Sequence, residues 1–236
     1  MRDKKLASGP AVLLDLDDTI LDFHMAEKIA VAHTLRELGV EPTDEVVGRY
    51  SAINLQCWKL LEEGLLTREQ VLVGRFERLF GELESPASPK EAKSLYEERL
   101  ALGHFFMPGA QEMLSALQSG YRLFICSNGT ASVQAGRIAS AGIAPLFERI
   151  FISEEIGFNK PDREYFAACF RQIPDFDPER AIMIGDSLSS DIRGGINAGI
   201  KTLWYNPQGR EPDKKIKADY ETDNLLRVAP MLDGIF

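Results

Sequence analysis

Three features predict an α/β protein: a parallel sheet core with helices on both faces, interrupted after its first strand by an all-helical, four-helix insertion. The first feature is the apolar run Ala11–Leu14, which ends abruptly in the carboxylates of Asp15, Asp17 and Asp18. The second is the alternation of apolar strands with amphipathic helices from Met107 onward, the pattern of a sheet covered on both sides. The third is the stretch between them, about eighty residues long, whose apolar positions repeat with a helical period.

Each element follows in order. Ala11–Leu14 is short and continuously apolar, as a fully buried strand should be. Ala26 to Leu38 is helical and Gly39 is placed to stop it. Thr43 or Asp44 can cap the next helix, which runs to Glu63 and stops at Gly64. Thr67–Gln70 and Ser88–Glu91 both fit capping boxes, the second with proline at the first helical position. Glu84 to Pro89 reads as the loop between them. Short connections make this block an antiparallel bundle. Ala110 to Gln118 is then helical, Tyr121 to Cys126 a strand, and Ser127-Asn128-Gly129-Thr130 a turn opening a helix that runs to Gly142. Arg149–Ile152, Ala181–Ile184 and Lys201–Tyr205 are strands, and Ala218–Tyr220 is an edge strand. Glu164–Gln172, Asp191–Ala198 and Leu225–Leu232 are helices, with Gly194 and Gly195 permitting close packing.

Composition narrows the function. The 236 residues are 44% hydrophobic, enough for a substantial core. Thirty-six acidic against 27 basic residues give a net charge of −9, which argues against a nucleic-acid polymer as partner and for a soluble cytoplasmic surface. Cys57, Cys126 and Cys169 sit apart in apolar contexts and read as buried thiols. His24, His33 and His104 lack metal-ligand spacing. No apolar run is long enough to span a membrane, and Met1–Pro10 reads as a polar lead-in without a signal peptide's apolar region.

The candidate chemistry lies at four strand ends. Crowded carboxylates leaving a buried strand repel one another and require a cation, and Mg²⁺ with oxygen ligands is the simplest. Asp15 and Asp17 are two residues apart, which in an extended strand puts them on one face. A carboxylate nucleophile and an acid/base could then address one substrate. Ser127, Asn128 and Gly129 offer a hydroxyl, an amide and backbone N–H groups ahead of a helix, an anion cradle. Lys160 stands before Pro161, which holds it extended so that it can reach a carboxylate or a transferring phosphoryl group. Asp186 ends the fourth strand as a metal ligand, and Asp191 falls in the first turn of the following helix, where an anion is favoured. The combination predicts metal-assisted phosphoryl transfer.

In this order the motifs DLDDT (Asp15–Thr19), CSN (Cys126–Asn128), NKPD (Asn159–Asp162) and GDSLSSD (Gly185–Asp191) resemble the haloacid-dehalogenase-like hydrolase superfamily. The resemblance spans nearly the whole chain. It implies a Rossmann-like core of residues 1–20 plus 106–236 and a helical cap of residues 21–105. It also implies that Asp15 is the nucleophile forming an aspartyl-phosphate and that Asp17 is the acid and then the base. Ser127 and Lys160 would bind phosphoryl oxygens. Mg²⁺ would be held by Asp15, the carbonyl of Asp17 and Asp186, with Asp191 and Thr19 in support. DLDDTILDF (Asp15–Phe23) and GFNKPD (Gly157–Asp162) look like the pyrimidine 5′-nucleotidase branch, although Leu14 stands where that branch commonly has phenylalanine.

The expectation is therefore a Mg²⁺-dependent phosphatase of a small phosphate ester, a nucleoside 5′-monophosphate first of all. A phosphatase of phosphoglycolate or a sugar phosphate would share the core. A dehalogenase does not need the acid Asp17, and a receiver-like phospho-acceptor needs no cap. Phe23 near the hinge is a candidate for stacking on a base. Asn54 and Trp58, one helical turn apart, are candidates for lining the substrate pocket. The sequence leaves the oligomeric state open.

Overall fold

The computed structural model describes residues 9–236, so all but the end of the polar lead-in lies outside the described residues. The apolar run at Ala11–Leu14 forms β1, fully buried. It pairs in parallel with β2 (Arg122–Ser127) on one side and β4 (Ala181–Gly185) on the other, Leu14 lying opposite both Ile125 and Ile184. With β3 (Arg149–Ile152), β5 (Lys201–Tyr205) and β6 (Tyr220–Thr222) the sheet has six strands in the order β3-β2-β1-β4-β5-β6, and every pairing is parallel. Central strands covered on both faces have no solvent side, which is why β1, β2 and β4 read as unbroken apolar runs.

The order reverses at β1, whose neighbours β2 and β4 continue in opposite directions across the sheet. A crevice opens at such a reversal, beyond the carboxyl ends of the strands. Three expected residues fall at that edge: Asp15 follows β1, Ser127 ends β2, and Asp186 follows β4.

The described chain divides into two compact units. One takes the chain up to Asp22 with Phe106–Gln134 and Ala141–Phe236, and the other takes Phe23–Phe105 with Ala135–Ser140. The second unit is built from α1 (Phe23–Glu37), α2 (Asp44–Glu62), α3 (Arg68–Glu82) and α4 (Pro89–Leu100), α1 packing on α2 and α4, and α3 completing the ring. Thr43 caps α2, and Thr67 and Gln70 form the expected reciprocal box on α3. At α4 Ser88 accepts from the Glu91 N–H ahead of Pro89, which is one half of the box expected there. The bundle closes on an aromatic cluster of Tyr50, Phe76 and Tyr96, ring centroids 5.0–5.7 Å apart.

The sheet unit adds α5 (Ala110–Leu117), α7 (Ser153–Ile156), α8 (Arg163–Phe170), α9 (Arg193–Ala198) and α10 (Val228–Ile235), while α6 (Ala131–Ala141) starts and ends in it and has Ala135–Ser140 grouped with the helical unit. One face of the sheet buries Leu13, Phe124, Phe151 and Met183 against Tyr165, Phe166 and Cys169 of α8. All three cysteines are buried and free of disulfides. Among the described residues no helix is long and apolar enough to cross a membrane.

The structure corrects several boundaries. β2 begins at Arg122 and includes Ser127. β6 lies at 220–222 rather than 218–220, and a 3-10 turn at Leu225–Arg227 precedes α10. The single turn of α7 is too short to show a period, and it stops where Gly157 turns left-handed at φ 86°. The expected helix from Asp191 begins only at Arg193. Residues Leu188–Ile192 form a wider π-helical turn, in which the Ile192 N–H reaches the Ser187 carbonyl at 3.1 Å.

Gly194 and Gly195 do permit close packing. A Cβ on Gly195 would overlap the buried Thr202 side chain and press closely on that of Met183. We expect Gly195→Ala to lower stability by about 1–3 kcal/mol through overpacking. Urea unfolding measures it, and an unchanged midpoint would show that the contact yields freely.

Candidate active site

Lys160 organises the strand ends. A lysine before a proline in a polar loop would ordinarily be solvated, yet this one is 1% exposed. Its ammonium donates to Asp15 Oδ1, Asp191 Oδ1 and the Cys126 carbonyl, each at 2.6 Å. Three donors thus meet three acceptors from three parts of the chain. Its backbone is held as well. The Asn128 amide accepts from the Lys160 N–H at 2.8 Å and donates to the Lys160 carbonyl at 2.9 Å. Burial works against the ammonium charge, but Asp15 and Asp191 outweigh it, so the group holds its proton above the ordinary lysine value.

Around it lie three carboxylates, Asp15, Asp186 and Asp191, with an oxygen from each within 4.8 Å of the others. Asp15 extends the β1 ladder by donating its N–H to the Ile184 carbonyl at 2.9 Å. Asp191 reaches the strand end because Gly185 has no side chain, and a Cβ there would overlap the carboxylate. The second Asp191 oxygen accepts from the Ser187 N–H at 3.0 Å. Asp186 is held by Thr19, whose hydroxyl accepts its N–H at 3.1 Å, and by Trp204, whose indole N–H donates to its carbonyl at 2.9 Å. Arg210 adds bonds to that carbonyl at 2.5 Å and to Asp186 Oδ2 at 3.2 Å.

The electrostatics call for a further cation. Burial raises the Asp15 carboxyl well above its usual value. Lys160 offsets this only in part, and Asp191, Asp17 and Asp186 add repulsion. Burial also pushes Asp186 up to about 7, with repulsion from Asp191 and Asp18 opposed by Arg210. An all-oxygen set under such strain fits a hard divalent ion. Asp15 and Asp186 could ligate one, while Asp191 has an oxygen on Lys160 and the other on a backbone N–H.

The second carboxylate is placed differently from expectation. Asp17 lies beyond the end of β1 and outside the three-carboxylate group, in a tight turn where the Ile20 and Leu21 N–H groups both reach the Leu16 carbonyl. Its Oδ2 accepts from Gln134 Nε2 at 2.6 Å, and the same nitrogen lies 2.8 Å from Ser127 Oγ. Ser127 Oγ also accepts from the Gly129 N–H at 3.1 Å, so that backbone donor serves the serine first. At the start of α6 the Ala131 N–H is taken by the Glu154 carboxylate at 2.7 Å. Of the expected anion cradle, the Gly129 N–H and the Asn128 side-chain amide are thus committed within the protein, and Lys160 offers its charge while its three N–H groups serve Asp15, Asp191 and the Cys126 carbonyl.

In the helical unit Asn54 is 2% exposed. Its amide donates to Glu27 Oε1 at 2.6 Å and accepts from Arg75 at 2.9 Å. Asn54 is thus part of a buried polar network inside the bundle rather than a pocket wall. Trp58 is half-buried beneath the Arg68 guanidinium, and Phe23 is half-buried beneath that of Arg137. Sequence reasoning missed Gln134, Arg210 and Trp204. None stands in a motif, and only the fold brings them to the strand ends.

The Asp15 carboxylate, a buried lysine and two further acidic groups thus meet at the sheet's reversal on a Rossmann-like core. The haloacid dehalogenase-like hydrolase family model matches residues 10–199, and the chain belongs to that family. It is 38% identical to HAD-hydrolase YfnB of Bacillus subtilis (strain 168) over 94% of each chain. It is 35% identical to the pyrimidine 5′-nucleotidase PynA of Streptococcus pneumoniae, again over 94% of each. The pyrimidine 5′-nucleotidase YjjG of Escherichia coli is 29% identical over 94% of this chain and 96% of its own. The crystal structure of YfnB bound to magnesium superposes with a TM-score of 0.91 at 36% identity, covering 95% of this chain and 99% of that one.

The raised Asp186 carboxyl yields a signed expectation. Unfolded, this group titrates near the ordinary value of about 3.9. Above that pH the metal-free native state therefore holds a proton the unfolded chain lacks. The resulting stabilisation is present at low pH and is lost as pH rises through about 7. A divalent ion held by Asp186 would displace that proton. The Mg²⁺-induced rise in melting temperature should then be larger at about pH 8 than at about pH 6, and Asp186→Asn should abolish the difference. A pH-independent rise in the parent protein would contradict this.

Proposed function

We propose that the protein is a Mg²⁺-dependent phosphatase that hydrolyses a small phosphate monoester, a nucleoside 5′-monophosphate with a pyrimidine base first of all. The observation that supports this most is Lys160, which binds Asp15 and Asp191 together beside Asp186 at the sheet's reversal. The likeness to two pyrimidine 5′-nucleotidases over 94% of the chain supports the nucleotide assignment.

In this reading Asp15 attacks phosphorus through a carboxylate oxygen. The bond from phosphorus to the leaving oxygen breaks, and Asp17 gives that oxygen its proton. An aspartyl-phosphate remains on Asp15. Asp17, now a base, takes a proton from water as the water oxygen bonds to phosphorus, and the bond to Asp15 breaks to release inorganic phosphate. Lys160 orients Asp15 and, with the Ser127 hydroxyl, neutralises the phosphoryl oxygens. Asp15, the Asp17 carbonyl and Asp186 would hold Mg²⁺, which would shield the ester's charge from the attacking carboxylate. The helical unit is the proposed cap that selects the leaving group, with Phe23 as a candidate for stacking on the base. A dehalogenase would expel halide, which needs no proton donor, and so would leave the Gln134–Asp17 pairing without a purpose.

Asp15→Asn should reduce phosphate release from p-nitrophenyl phosphate to background, because an amide is not a competent nucleophile. Excess chelator should do the same to the parent enzyme, with recovery on adding Mg²⁺. Near-parental turnover in either case would refute the mechanism. A panel of nucleoside monophosphates, sugar phosphates and phosphoglycolate should give its highest kcat/KM with a pyrimidine nucleotide. A maximum at phosphoglycolate or a sugar phosphate would instead assign a different small-metabolite phosphatase.

A further inference from the structure

Gln134 has no part in the four motifs, yet it is 2% exposed and its Nε2 lies against both Asp17 Oδ2 and Ser127 Oγ. Its location is built into the local structure. Gly129 is the residue that a side chain would turn into an obstacle, since a Cβ there would overlap the Gln134 amide. The amide direction is also chemically constrained. Turning Oε1 toward Asp17 Oδ2 would set two acceptor oxygens against each other, so the nitrogen faces the carboxyl group.

Two consequences follow from one nitrogen. At Asp17 an N–H bond to Oδ2 makes that oxygen an acceptor and directs the transferable proton to Oδ1. At Ser127 the Gln134 N–H and the Gly129 N–H fill both acceptor positions of the hydroxyl. What the hydroxyl has left to offer is its own proton, which suits it to donate to an anionic oxygen.

We propose that Gln134 is a positioning residue for the acid/base step: it fixes the Asp17 carboxyl so that a defined oxygen delivers the proton to the leaving group, and it turns Ser127 into an obligate donor toward the phosphoryl group. The inference rests on the assignment of Asp17 as acid and base. It predicts dependence on the leaving group. A sugar alkoxide needs a proton as it departs, whereas p-nitrophenolate leaves without one. The Ser127 contact, by contrast, affects both kinds of ester equally.

The test compares kcat/KM for a nucleoside 5′-monophosphate with that for p-nitrophenyl phosphate in Gln134→Leu, Gln134→Glu and Asp17→Asn, with thermal unfolding confirming that each is folded. Gln134→Leu should lose at least about tenfold more on the nucleotide than on p-nitrophenyl phosphate, part of the roughly 10²–10⁴-fold that a positioned acid supplies. Gln134→Glu should show the same selective loss at about pH 8. Equal losses on both esters in the Gln134 variants, while Asp17→Asn discriminates between them, would overturn the role of Gln134 alone. Absence of discrimination in Asp17→Asn as well would overturn the acid/base reading beneath it.

Discussion

The site depends on one constraint, that a buried ammonium must have every donor satisfied. Lys160 meets it with Asp15, Asp191 and the Cys126 carbonyl, two of them carboxylates. Such a cluster is tolerable only as a whole, because removing one partner strands a charge in the interior. Lys160 and Asp15 are 145 residues apart in sequence. The pairing therefore ties β1, the end of β2, the loop before α8 and the π-helical turn after β4 to one point. Asn128 gripping the Lys160 peptide from across the turn is part of the same constraint.

The charge pattern around that point explains the chemistry it suits. One lysine shared among clustered carboxylates leaves the group short of positive charge, which is why burial and mutual repulsion raise both Asp15 and Asp186. A divalent ion would relieve that shortage and would bring an anionic ester near an anionic nucleophile. Arg210 supplies part of the missing charge at the rim. It is held by Asn206, a buried residue that accepts from the Arg210 N–H at 2.9 Å and donates to its carbonyl at 3.0 Å.

The helical unit handles its buried polarity in a similar way. Glu27, 3% exposed, accepts from Ser51 and Asn54, and Asn54 in turn accepts from Arg75, whose guanidinium lies 4.6 Å from the Tyr96 ring centre. A carboxylate and a guanidinium joined through an amide are satisfied without direct contact. Asn54 is therefore committed to holding the bundle together, and its spacing from Trp58 is a property of the helix rather than of a binding surface.

The sequence by itself determined whatever depends on near neighbours in the chain. The buried strands were legible because residues with no solvent face leave unbroken apolar runs. The helix starts at Thr43, Thr67 and Ser88 were legible because a cap and the N–H it serves are three residues apart. Asp15, Ser127, Lys160, Asp186 and Asp191 were legible because their motifs sit at strand ends in a fixed order. Tertiary structure alone decided what crosses between segments. Gln134 meets Asp17 over 117 positions, and Thr19 meets Asp186 over 167. No local period encodes such distances. The π-helical turn was hidden for the same reason: nothing in Leu188–Ile192 demands it, whereas reaching the Lys160 ammonium does.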